Sequence, residues 1–131
     1  MPPREDGTKA RLLLVEDDVF MIELLVREFT AAGFDVSIAK TGTEGVAKFF
    51  EVKPDLTLLD LVLPDEKRFE ALRKIRRDPV GATAKVIVLT NLSDTSDIEE
   101  GKRLGAIDYL VKANHSLPEI VECVRKALGI H

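Results

Sequence analysis

Short apolar runs alternate with helically spaced apolar residues along the chain, five times in succession between Leu12 and Leu128. Leu12-Leu13-Leu14-Val15 is too continuous for a half-exposed strand and suits one covered on both faces. Phe20, Leu24, Leu25, Phe29 and Ala32 then follow at helical spacing and are closed by Gly33. Phe34, Val36 and Ile38 alternate with polar or small residues and predict a second strand. Thr41-Gly42-Thr43 opens a helix carrying Val46, Phe49 and Phe50. Leu56 to Leu59 predicts a third buried strand, followed by a helix through Phe69, Leu72 and Ile75. Val86 to Leu89 predicts the fourth strand, and Ile98 and Leu104 mark the helix after it, before Gly105. Tyr109-Leu110-Val111 predicts the fifth strand, and Ile120, Val124 and Leu128 stripe a last helix.

Five short strands alternating with helices indicate an α/β domain built on a parallel sheet. Right-handed crossovers leave few topologies open. Ligands in such sheets sit beyond the carboxyl ends of the strands, near the point where strand order reverses.

Composition narrows the class without changing this picture. A length of 131 residues fits one domain, with Met1 to Thr8 as a frayed leader rich in proline, glycine and charge. Apolar residues at 45% and charged residues at 32% are ordinary for a soluble protein. A net charge of -4 argues against a general nucleic-acid or anionic-membrane surface. No apolar run approaches the ~20 residues of a membrane span, and one cysteine forms no intrachain disulfide. A cytoplasmic location is therefore expected. No effector domain fits after His131, so the expectation is a stand-alone domain or a piece excised from a larger regulator.

The chemistry collects at the strand ends. Strand one ends in Glu16-Asp17-Asp18, strand three in Asp60, strand four in Thr90 and strand five in Lys112. Asp18 precedes a helix and reads as its cap. Asp60 is the sharpest anomaly, because Leu56 to Leu63 is otherwise apolar apart from Thr57. A charge there costs several kcal/mol unless a cation or strong hydrogen bonds compensate it. Glu16, Asp17 and Asp60 together would raise one pKa or recruit a cation, and oxygen ligands select a hard ion such as Mg²⁺. With the Lys112 ammonium and the Thr90 hydroxyl, these are the parts needed to receive a phosphoryl group. The plainer reading is a Lys–Asp pair that only balances charge.

Leu12 to Asp18, Asp60 to Pro64, Val86 to Thr90 and Ala106 to Lys112 resemble, in order, the signatures of receiver domains of bacterial two-component response regulators. The resemblance covers about Lys9 to Gly129. It implies a flavodoxin-like five-stranded parallel sheet of order 2-1-3-4-5, with helices on both faces, and a signalling switch in place of an enzyme. It makes Asp60 the phosphoacceptor. Asp17 and Asp60 would ligate Mg²⁺, Glu16 would hold metal-bound water, and Val62 would offer its backbone carbonyl. Thr90 and Lys112 would contact phosphoryl oxygens, and Tyr109 would be the aromatic whose rotation reports activation. The donor would be a phosphohistidine on a sensor histidine kinase or histidine phosphotransfer protein. The recipient of the signal would be a downstream effector protein or domain, contacted by the face of the last two helices and strand five.

Three positions depart from that pattern. Arg68 stands where the family usually has glycine, so a loop needing φ > 0 there must be built differently. Asn91 replaces a small residue after the threonine, and Ala113 replaces a proline, which makes the Lys112–Ala113 bond trans by expectation. By the same resemblance Val62 and Leu92 stand where an attacking water would be held, and they offer it no side-chain hydrogen bonds, which predicts slow self-dephosphorylation.

Other readings are open at this level. A phosphorylation-independent pseudo-receiver is favoured by the bulk of Arg68 and Asn91, but Glu16, Asp17, Asp60, Thr90 and Lys112 are all in place. A haloacid-dehalogenase-like phosphatase needs a second acid two residues after the nucleophile, where this chain has Val62. A flavin-binding flavodoxin would need a Ser/Thr/Gly-rich loop after strand one. Cys123 reads as a small core residue, His115 and His131 lack metal-site partners, and Arg73, Lys74, Arg76 and Arg77 read as a solvated helix face.

Overall fold

The computed structural model describes residues 8–130, so most of the expected leader, Met1 to Gly7, lies outside the described residues, as does His131. Its elements are β1 (Arg11–Val15), α1 (Val19–Ala31), β2 (Asp35–Ala39), α2 (Gly42–Val52), β3 (Leu56–Leu59), α3 (Glu70–Arg77), β4 (Val86–Thr90), α4 (Thr95–Arg103), β5 (Asp108–Val111) and α5 (Leu117–Leu128). A short 3₁₀ turn, Lys112–Asn114, joins β5 to α5. The strands form one parallel sheet of order β2-β1-β3-β4-β5, the flavodoxin-like order expected.

Period-two alternation in β1 splits the core into two layers. Leu12 and Leu14 pack with Ile22, Leu25 and Phe29 of α1 and Ile120, Val121 and Val124 of α5. Leu13 and Val15 pack on the other face with Phe49 of α2 and Leu72 and Ile75 of α3. Every residue of β3 and β4 is buried, which is why both read as apolar runs interrupted only by Thr57 and Thr90.

Helix ends follow local chemistry. Asp18 caps α1 by accepting from the Phe20 and Met21 amides. Ser116 and Glu119 form a capping box that starts α5. Gly33, at φ 95°, ends α1 in the left-handed region, and the Phe34 amide donates back to the Phe29 carbonyl.

Two details differ from the sequence reading. Phe20 is 78% exposed and Leu24 is also exposed, and the stripe of α1 that reaches the core is Ile22, Leu25 and Phe29. With Ile22, Leu25 and Phe29 turned to the layer over β1, the rotation of α1 leaves Phe20 on the opposite face. The basic residues of α3 are not a simple solvated face. Arg76 donates to the carbonyls of Gly81, Ala84, Leu104 and Gly105, clamping the loops that lead into β4 and β5. Lys74 pairs with the buried Glu66, and Arg73 pairs with Glu100 of α4.

No helix among the described residues is long and apolar enough to cross a membrane.

Candidate functional site

Register delivers the candidate residues to one edge of the sheet. Val15 of β1 pairs with Leu59 of β3, so Glu16 and Asp60 emerge side by side. The Asp60 amide continues the ladder by donating to the Val15 carbonyl at 3.0 Å. Thr90 pairs with Val111, so Lys112 leaves β5 level with the end of β4. Strand order places β1 and β3 at the centre of the sheet, with β4 and β5 following on one side. The chain reverses its winding direction between β1 and β3, the position where this architecture opens a crevice.

Asp60 is only 5% exposed and Glu16 is also buried, whereas Asp17 is exposed. One carboxylate oxygen from each of Glu16, Asp17 and Asp60 lies within 4.8 Å of the others. Three hard oxygen donors at that spacing, two of them with restricted access to water, fit a small divalent cation such as Mg²⁺. Asp17, facing solvent, provides the open side through which a hydrated ion would approach.

Lys112 already supplies part of the compensating charge. Its Nζ donates to Asp60 Oδ2 at 2.9 Å and lies 2.5 Å from Glu16 Oε1. The remaining oxygens are also engaged. Asp60 Oδ1 accepts from the Val62 amide at 3.1 Å, and Glu16 Oε2 accepts from the Asp18 amide at 3.0 Å. Burial pushes the Glu16 carboxyl above its ordinary range, against the pull of Lys112 and the Asp18 amide, and the Asp60 charge adds to the rise. Burial also works against the Lys112 charge, but the hydrogen bonds and charges of Glu16 and Asp60 outweigh it and raise Lys112.

Thr90 is fully buried at the end of β4, with its hydroxyl oriented to accept weakly from the Leu92 amide at 3.4 Å. Tyr109 turns its hydroxyl toward the β4–α4 loop and donates to the Leu92 carbonyl at 2.7 Å. Val62, whose amide donates to Asp60, is 54% exposed. No peptide bond among the described residues is cis, so Lys112–Ala113 is trans.

The loop after Asp60 resolves the question raised by Arg68. The left-handed residue there is the next one, Phe69, at φ 65°. Arg68 instead reaches Asp97 of α4, a pair that sequence reading missed because nothing in the local pattern of α4 marks Asp97. Asp65 was also missed. It accepts from the Gly42 and Thr43 amides and the Thr43 hydroxyl, tying this loop to the start of α2.

Comparison with known proteins agrees with this architecture. The family model for the response regulator receiver domain matches residues 12–125. The transcriptional regulatory protein TrcR of Mycobacterium tuberculosis is 37% identical over 95% of this chain and 48% of its own length. The transcriptional regulator RpaA of Synechocystis is also 37% identical, over 78% of this chain and 42% of its own. The chain thus spans about half the length of the curated relatives it matches. Among solved structures, a CheY-like receiver domain protein from Methanospirillum hungatei superposes with a TM-score of 0.86 at 26% identity, covering 93% of this chain and 95% of that one. A chain of the CheX–CheY–BeF3–Mg²⁺ complex from Borrelia burgdorferi gives 0.85 at 25% identity, covering 95% and 93%.

Proposed function

The chain belongs to the response regulator receiver domain family, and from that premise we propose that it is a phosphoacceptor switch that takes a phosphoryl group from a phosphohistidine onto Asp60. The observation that carries this reading is the placement of Asp60 between the Lys112 ammonium at 2.9 Å and two further carboxylates within 4.8 Å. A structural ion pair would need one acid, and this site gathers three.

In the reaction an Asp60 carboxylate oxygen attacks the phosphorus. The new O–P bond forms as the P–N bond breaks, and the imidazole leaves with the electron pair. Glu16, Asp17, Asp60 and the Val62 backbone carbonyl are the groups that would hold Mg²⁺, which when bound neutralises charge on the phosphoryl oxygens. Lys112 is already on the Asp60 carboxylate and would follow the transferred oxygens with little reorganisation. The Thr90 hydroxyl, with only the long Leu92 contact to lose, is free to turn and donate to a phosphoryl oxygen. Tyr109 would take the space the hydroxyl vacates and carry the change to the face of α4, β5 and α5. The donor in this reading is a sensor histidine kinase or phosphotransfer protein, the recipient a downstream effector, and the setting the cytoplasm.

Incubation with phosphoramidate or acetyl phosphate and Mg²⁺ tests the proposal. Intact mass should rise by one phosphoryl group on Asp60, and Asp60→Asn should abolish the gain. A phosphatase would instead turn over small phosphoesters. A pseudo-receiver would take no label and would sink the reading.

A further inference from the structure

Two ion pairs brace α4 against the loop and helix that follow Asp60. Arg68 Nη1 lies 2.9 Å and 3.2 Å from the two oxygens of Asp97, and Arg73 Nη2 lies 2.7 Å from Glu100. Asp97 and Glu100 are three residues apart, so both pairs act on one face of α4. Arg73 Nη1 also donates to the Arg68 carbonyl, and its guanidinium lies over the Phe69 ring at 5.9 Å.

The two pairs differ in burial. Asp97 is 6% exposed, while the Arg68 side chain is 52% exposed. A carboxylate that deep carries a desolvation cost that Arg68 and the first turn of α4 must offset. Glu100 is more open and is shared with Arg103, so its pair holds α4 less firmly.

The same face of α4 meets Tyr109. Gly101 faces the Tyr109 ring so closely that a Cβ there would lie 3.1 Å from it, with Phe69 close behind. With α4 seated at that distance, the helix forms one wall of the ring, whose hydroxyl ends on the Leu92 carbonyl. If α4 lifted, the ring would lose its wall and the Leu92 bond its constraint.

We propose that Arg68 and Asp97 form an ionic latch that seats α4 on Tyr109, and that the latch sets how much of this chain holds the Leu92-bonded arrangement before any phosphoryl group arrives. Arg68 therefore acts as a positioning residue through α4, and its bulk at this loop position has a use. The link to phosphorylation rests on the function proposed above, but the latch itself requires no phosphate.

The chain contains one tyrosine and no tryptophan, so acrylamide quenching of tyrosine emission reports Tyr109 alone. Arg68→Ala should shift the ratio of seated to released α4 by about tenfold, the scale of one charge-assisted hydrogen bond, and quenching should rise accordingly. Arg68→Lys should recover part of the protection, because it restores the charge without the fork. Arg73→Ala should raise quenching less than Arg68→Ala does. Should Arg68→Ala unfold, Arg68→Ala with Asp97→Asn removes the stranded buried charge and should refold with Tyr109 released. Unchanged quenching in a folded Arg68→Ala or double variant overturns the latch. Beryllofluoride with Mg²⁺ separates the two ideas: wild-type protein that fails to bind it refutes the phosphoacceptor reading, while the quenching series still decides the latch.

Discussion

Lys112 Nζ stands 2.5 Å from Glu16 Oε1 and 2.9 Å from Asp60 Oδ2, so one ammonium serves two buried carboxylates. The three groups follow the ends of β1, β3 and β5, and the single cation lies within reach of both acids. Removing the cation leaves two acids in each other's field with little water, whereas removing one acid leaves a pair.

Lys112→Met should therefore destabilise the metal-free domain by on the order of 3 kcal/mol, the cost of stranding a buried charge. Asp60→Asn should cost much less. Urea denaturation midpoints without Mg²⁺ check the order of the two, and equal losses would mean that Lys112 is not the main counterion.

Mg²⁺ should stabilise the unphosphorylated domain, because Glu16, Asp17 and Asp60 converge in the folded state only. At about 100 times its dissociation constant the ion adds ~2.7 kcal/mol. Asp17→Asn should remove most of that gain. A melting temperature unmoved by millimolar Mg²⁺ in wild-type protein would count against the metal site.

Burial, and then the negative charge of Asp97, push the Tyr109 hydroxyl up to about 12. The folded state therefore holds this proton more tightly than the unfolded chain, whose tyrosine titrates near 10. The corresponding stability is fully present below pH ~10 and is lost as pH rises through about 12. Tyrosinate absorbance of the single tyrosine should show the late midpoint, and Tyr109→Phe should remove this contribution to alkaline unfolding. A midpoint near 10 in folded protein would mean that the hydroxyl is not buried against Leu92.

The acyl phosphate on Asp60 should decay slowly. On the function proposed above, Val62 and Leu92 would stand where an attacking water is oriented, and neither side chain can hydrogen-bond to it. A Val62→Asn, Leu92→Glu double variant should decay at least about tenfold faster, within the range of general acid–base effects. Equal decay of labelled wild type and variant would show that apolar shielding does not set the lifetime.

The strand–helix order, both core layers and the set of acids, hydroxyl and ammonium at the strand ends were legible in the chain itself. Each follows from a local rule: period-two and 3.6-residue spacing fix which side chains share a face, and a parallel sheet fixes which ends carry chemistry. Asp60 announced itself because a charge inside Leu56 to Leu63 has no local remedy. The rotation of α1, which turns Phe20 outward, was settled by how Ile22, Leu25 and Phe29 fill the layer over β1. Arg76 became a clamp on four carbonyls, and Arg68 found Asp97 across 29 residues of chain. Spacing along the sequence cannot specify such partners, because they depend on helix rotation and on the distance between α3 and α4. Tertiary packing decided those, and with them the seat of Tyr109.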